Sequence, residues 1–122
     1  MKRNMLVILT AACALAACGG GGGQEREAAT CAQVRNITCE PAGSVLTEVT
    51  GDVANVCDQT LRYVKVIAHG YTVRNGELIG SDEEYVEDIG HGSSKFFSAL
   101  IRDEAQRITY CSVRVDEAAF GR

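Results

Sequence analysis

An all-β fold, an antiparallel β-sandwich of about seven strands, is what the sequence predicts. Three observations carry that expectation. Short runs rich in Val, Ile, Thr and Tyr are separated by turn-forming residues at roughly 8–12-residue intervals. Residues 61–71 (LRYVKVIAHGY) are apolar on both alternating faces, as a central strand requires. Asn75-Gly76 then lies between two such runs, a strong short-range signal for a hairpin of type I′, whose two central residues need positive φ.

Taken in order, residues 45–56 alternate, with Val49, Gly51, Val53 and Asn55 on one face. In residues 61–71, Val64, Val66 and Ala68 share one face, and Tyr63, Ile67 and Tyr71 the other. Residues 77–86 form the returning strand of the hairpin, with an acidic outer portion. Ile89-Gly90-His91-Gly92 makes a turn, and residues 95–101 and 107–115 supply the last two strands. Residues 99–107 also admit a helix. The single proline, Pro41, stands just past Cys39, where a strand should stop.

The N-terminus has the parts of an export signal. Lys2 and Arg3 form a positive start, and residues 5–17 are a short, nearly uncharged apolar run. That run falls short of the roughly 20 residues a membrane-spanning helix needs. It ends in Leu15-Ala16-Ala17-Cys18, which resembles the lipobox of bacterial lipoproteins. The resemblance implies recognition of Leu15, Ala16 and Ala17 by the signal peptidase, cleavage before Cys18, and a diacylglycerol and acyl chain on that thiol. An ordinary signal with an incidental cysteine is the plain alternative. A rival site, Thr10-Ala11-Ala12-Cys13, has Thr10 where an apolar residue belongs. Gly19 follows Cys18 where an aspartate would suggest inner-membrane retention, so in a Gram-negative cell the expected place is the outer membrane, facing the periplasm. Glycine fills residues 19–23, and Gln24-Glu25-Arg26-Glu27 follows. The expected division is a removed signal at 1–17, a lipidated cysteine and flexible tether at 18–29, and one folded domain at 30–122.

Loss of Lys2 and Arg3 takes the net charge from −4 to −6. A chain this acidic is unsuited to nucleic acid, whose backbone demands clustered Lys and Arg, and gains no attraction to anionic lipid. Attachment to a membrane then rests on the acyl chains alone. Of six cysteines, Cys13 leaves with the signal and Cys18 carries lipid. Cys31, Cys39, Cys57 and Cys111 remain, and in an oxidising compartment they are expected to pair. Three connectivities are open. The one favoured joins Cys57 to Cys111 across the core and Cys31 to Cys39 around a small loop. Zinc is the rival, but the four have no CxxC spacing and no nearby histidine; the same lack of CxxC argues against a redox couple.

Other chemistry is thinly marked. His69 and His91 are the only histidines, and no spacing links them. Asp82, Glu83, Glu84, Glu87 and Asp88 form the densest charge cluster. Calcium is the sharp reading, yet the EF-hand pattern is missing, and a solvated strand that discourages edge pairing accounts for the charges. Ser81, Ser93, Ser94, Ser98 and Ser112 lack a GxSxG elbow. Gly90-His91-Gly92 has neither the lysine nor the helix of a phosphate loop. Asn36-Ile37-Thr38 fits a glycosylation acceptor, without meaning in a bacterium. Tyr63, Tyr71, Tyr85, Phe96 and Phe97 read as core or half-buried strand positions; an exposed stripe of them would mark a binding face.

Residues 49–115 resemble the FxLYD domain, an immunoglobulin-like β-sandwich of prokaryotic lipoproteins. The matching pieces are Val49-Thr50-Gly51-Asp52-Val53-Ala54-Asn55, Tyr63-Val64-Lys65-Val66, Asn75-Gly76-Glu77-Leu78-Ile79-Gly80 and the stretch from Ile89 through His91 and Lys95 to Phe97. The motif that names the family would fall at Ala68-His69-Gly70-Tyr71-Thr72, where the tyrosine alone agrees, and His91 replaces the family's turn proline. The resemblance implies a non-catalytic envelope accessory module. The expected partners are the membrane, through lipid, and an envelope protein, with no cofactor or metal. A carrier of a small ligand or metal is the alternative. An enzyme would require histidines, serines or cysteines to converge within hydrogen-bond reach.

Overall fold

The computed structural model describes residues 23–121. The signal, its Leu15-Ala16-Ala17 recognition residues, Cys18 and the following residues up to 22 lie outside the described residues, as does Arg122. The described chain runs through one short helix, α1 (Gly23–Thr30), and six strands: β1 (Ala32–Pro41), β2 (Leu46–Asn55), β3 (Leu61–Tyr71), β4 (Leu78–Ile89), β5 (Ser94–Arg102) and β6 (Tyr110–Phe120). They form two antiparallel sheets of three strands, ordered β1-β2-β5 and β4-β3-β6. The expected all-β sandwich is therefore the fold. Six strands replace the expected seven or so, and α1, with Ala28 buried in the core, packs against β6.

The helix covers residues 23–30, the end of the expected tether and the first residue of the expected domain.

The inner faces follow from alternation. Val49, Gly51, Val53 and Asn55 of β2 are buried together, and Val64, Val66 and Ala68 of β3 are fully buried against Phe97, Ala99 and Ile101 of β5. β3 has the bounds its two-sided apolar pattern indicates and is the central strand of its sheet. Gly70 ends its inner row because a side chain has no room there: a Cβ would sit 2.5 Å from Ile108 Cδ1. The helix admitted at residues 99–107 does not form. β5 runs to Arg102, and Asp103 then nucleates a turn in which Gln106 has φ of 54°.

The hairpin between β3 and β4 stands where Asn75-Gly76 places it, but its turn differs. Asn75 takes a φ of 65° while Gly76 is not at positive φ, so the loop is not type I′. Thr72 and Glu77 close a wider loop, with the Thr72 N–H donating to the Glu77 carbonyl at 3.0 Å.

The disulfides also differ from the favoured pairing. Cys31 bonds to Cys57, and Cys39 to Cys111. Cys31 and Cys39 flank most of an extended strand, which at about 3.3 Å per residue holds them roughly 26 Å apart. In the β1–β2 ladder Ala32 pairs with Asn55, so Cys31 lies beside the residues that leave β2. The Val56 N–H donates to the Cys31 carbonyl at 2.9 Å, next to Cys57. Cys39 and Cys111, both buried, point inward from β1 and β6 and bridge the two sheets.

Candidate functional site

The residue that a β-strand does not send inward goes to the opposite face, and directly paired residues share a face. The outer face of the β4-β3-β6 sheet can therefore be read row by row from the ladder. At one end, Glu87, Tyr63 and Ala119 lie side by side; Tyr85, Lys65 and Glu117 form the next row. Glu83, Ile67 and Arg114 form the middle, then Ser81, His69 and Ser112, and finally Leu78, Tyr71 and Tyr110.

All four tyrosines of the protein stand on this one face. Tyr63 and Tyr85 have ring centroids 5.7 Å apart, Tyr71 and Tyr110 6.1 Å, and His69 lies 6.2 Å from Tyr71. Tyr85 is 54% exposed and Leu78 51%, while Tyr63, Tyr71 and Tyr110 are half-buried along their lengths. The rings carry apolar area and a polar tip. The four tyrosines thus share one outer face, with Tyr85 exposed and the others half-buried, though only Tyr63 and Tyr71 could be placed together from the alternation of one strand.

Charges are woven through the face. Lys65 Nζ lies 3.5 Å from Glu83 and 3.4 Å from Asp116, and 5.9 Å from the Tyr85 ring centroid. Its burial opposes the charge, but the hydrogen bond to Asp116 and the charges of Glu83 and Tyr85 outweigh that and raise its pKa. A bulge in β6 brings Asp116 into this position, since Lys65 pairs with Glu117 and Val66 with Val115. Arg114 holds Asp116 at 3.1 Å.

His69 Nδ1 is 2.8 Å from Ser81 Oγ, so a histidine and a serine do come within hydrogen-bond reach. The charge nearest that ring is a cation: burial first, and Arg114 second, push the His69 pKa down. A general base is normally oriented by a carboxylate on its other nitrogen, the opposite electrostatic setting. His91 is not part of this arrangement. It sits in the Gly90–Gly92 turn at the α1 end, with Nδ1 2.8 Å from the Cys57 carbonyl oxygen.

The acidic cluster is divided by the pleat. Glu83 and Glu87 face outward, while Asp82 and Glu84 lie on the side toward the other sheet. Asp82 accepts from the Leu100 backbone N–H at 3.0 Å, and Lys95 Nζ donates to the Glu87 carbonyl at 2.9 Å. These bonds stitch β4 to β5 and close that seam of the sandwich. Burial, then the charge and hydrogen bond of Asp82, push the Glu84 pKa up. Among the described residues, no three His, Cys, Asp or Glu side chains are grouped to hold a metal ion. The remaining serines are scattered, with Ser98 Oγ donating to Glu48 at 2.8 Å on the other sheet. Asn36 of the apparent glycosylation triplet takes a φ of 55° in a β1 bulge and donates to Asp52 at 3.1 Å. Phe97 is core, whereas Phe96 is exposed on the opposite outer face, paired with Asp52.

Compared with family models, with curated proteins and with solved structures, the chain matches none of them.

Proposed function

We propose that this chain is an envelope lipoprotein, anchored through Cys18 and acting as a non-catalytic protein-binding module. The observation that carries the binding reading is the gathering of all four tyrosines on the outer β4-β3-β6 face. Tyrosine is enriched in protein interfaces because it offers large contact area at low entropic cost and a hydroxyl that tolerates a wet rim. The face is a sheet surface rather than a cleft, which suits a protein partner better than a small substrate. The sandwich topology is the support for the FxLYD resemblance, and the lipobox-like Leu15-Ala16-Ala17-Cys18 is the support for the anchor.

The His69–Ser81 contact fits binding rather than hydrolysis. The cation beside the ring disfavours the imidazolium that a general base must become. The pair orders two polar groups within the tyrosine face.

A photo-activatable residue placed at position 85 of the full-length protein, in living cells, tests the face. Position 100 on the other sheet, where Leu100 is 47% exposed, is the control. Protein adducts from position 85 and not from 100 are the expected result. Equal yields from both, or none from 85, would overturn the reading. Mass spectrometry of the mature N-terminus checks the anchor, since Cys18→Ser should abolish both processing and lipid.

A further inference from the structure

The order of charges across the tyrosine face points to its occupant. We infer that the face binds a second copy of this chain, through a two-fold axis running parallel to the strands. The inference rests on the face being a protein-binding surface and deepens that reading by naming the partner.

Consider two such sheets laid outer face to outer face and related by that axis. β3 then lies over β3 of the other copy, β4 over its β6, and β6 over its β4. The middle row reads Glu83, Ile67, Arg114 across the sheet. In the pair, Glu83 of each copy faces Arg114 of the other, giving two symmetric acid–base contacts about a buried apolar centre. The adjacent row gives Ser81 opposite Ser112 on both sides of His69. The end row gives Leu78 opposite Tyr110 beside Tyr71. Lys65, which meets its own copy near the axis, is already held between Glu83 and Asp116 and so brings its counter-charges with it. An isologous interface needs this kind of self-complementary patch. An axis across the strands would leave Glu83 facing Glu83 and Arg114 facing Arg114.

Size and orientation agree. A three-stranded face about 35 Å long and somewhat under 20 Å wide covers on the order of 600 Å² per copy. The pair would bury about 1,200 Å², the lower end for a specific association. Two chains held in one membrane meet in the plane of that membrane, which raises their effective concentration. An axis parallel to the strands keeps both α1 helices at the same end, as two anchors in one bilayer require.

Cysteine cross-linking of the full chain in cell membranes tests this. His69→Cys lies near the axis, so a bifunctional thiol reagent with an arm of about 8 Å should link two identical chains. Ser81→Cys co-expressed with a differently tagged Ser112→Cys should form the mixed pair, and Leu100→Cys on the other sheet should not self-link. Glu83→Arg should reduce the His69→Cys adduct at least fivefold by setting two arginines against each other. The double change Glu83→Arg with Arg114→Glu pairs opposite charges between the copies again and should recover part of it, the remainder being lost with the counter-charges of Lys65 and Asp116. Only the paired geometry predicts that rescue, which also shows that the variants fold. Self-adducts from Leu100→Cys as abundant as those from His69→Cys, or failure of the rescue, would overturn the inference. Adducts to a different protein at positions 69 and 85 would also overturn it while leaving the binding face intact. Silence at both positions would overturn the face as well.

Discussion

The Asp103 carboxylate, almost wholly buried, accepts from the Thr47 hydroxyl at 3.0 Å and from the backbone N–H groups of Arg107 at 2.8 Å and Ile108 at 3.1 Å. Its own N–H donates to the Val45 carbonyl at 2.7 Å, so a single residue ties the β5–β6 turn to the start of β2. Asp103→Ala strands one hydroxyl and two backbone donors in a buried site. The expected loss is about 3 kcal/mol, with Asp103→Asn intermediate, read from urea unfolding. Asn55 serves the other end in the same way: its amide donates to the carbonyls of Gln59 and Ile89, and its oxygen accepts from the Cys57 N–H. Two titrating residues act in opposite directions. His69 is held below its ordinary 6.5 by burial and by Arg114, so the folded chain binds that proton less tightly than the unfolded one. Its contribution to stability is full above 6.5 and is lost as pH falls through the window beneath it. Glu84 is raised above 4.5 by burial and Asp82; its contribution is full below 4.5 and is lost as pH rises past that value. His69→Gln should flatten the pH dependence of the urea midpoint just below 6.5, and Glu84→Gln the dependence just above 4.5. Unchanged slopes in both variants would contradict these assignments.

At the scale of the elements, the four cysteines carry most of the covalent constraint, and their two loops interleave. Their sequence separations are 26 and 72 residues, which on chain-entropy grounds correspond to about 3.5 and about 4.5 kcal/mol. Because each loop encloses an end of the other, the two effects are not independent. Cys39→Ala with Cys111→Ala is expected to cost about 3–4 kcal/mol and to loosen β1 from β6 before the rest. Hydrogen exchange would show this as protection lost first along β1, whereas uniform loss would place the bridge's effect elsewhere. The identity of the paired residues was readable from the sequence, but their partners were not, for a definite reason. β1 alternates cleanly through Ala32 and Val34, then a bulge between Arg35 and Thr38, with Asn36 at positive φ, resets the pattern before Cys39. Without β1 in view, Cys31 and Cys39 look like neighbours in a loop rather than opposite ends of a strand. β3 was legible to the residue because both of its faces are apolar, one against the core and one beneath the tyrosines. α1 was not, since a glycine run followed by charged residues carries no apolar stripe. Ala28 is buried by the tertiary packing of the helix.

For the whole molecule, the face that carries the proposed function combines residues from three strands. Tyr63 and Tyr71 were readable together from one period-2 run; Tyr85 and Tyr110 join them only through the register of β4 and β6, which no single strand encodes. The helix also changes how the domain stands on a membrane if Cys18 carries the lipid. Four residues separate Cys18 from Gly23, and fully extended they and their flanking bonds reach no more than about 18 Å. A lipid on Cys18 would therefore hold the α1 end of the sandwich close to the bilayer. That end includes the Cys31–Cys57 bridge and the Gly90–Gly92 turn, because His91 contacts Cys57 and the Cys31 N–H donates to the Ala28 carbonyl. The β3–β4 hairpin lies at the opposite end of an 11-residue strand, about 35 Å away. A fluorophore attached at His91→Cys should be quenched strongly by a lipid-borne headgroup quencher in vesicles carrying the mature lipoprotein. The same fluorophore at Asn75→Cys should be quenched weakly. Equal quenching would mean that the domain lies along the surface and its tyrosine face is oriented differently from an upright one. Strong quenching at position 75 alone would invert the molecule and rule out the short tether from Cys18. With quenching confined to position 91, the tyrosine face stands roughly perpendicular to the bilayer, the orientation in which neighbouring anchored chains can meet face to face.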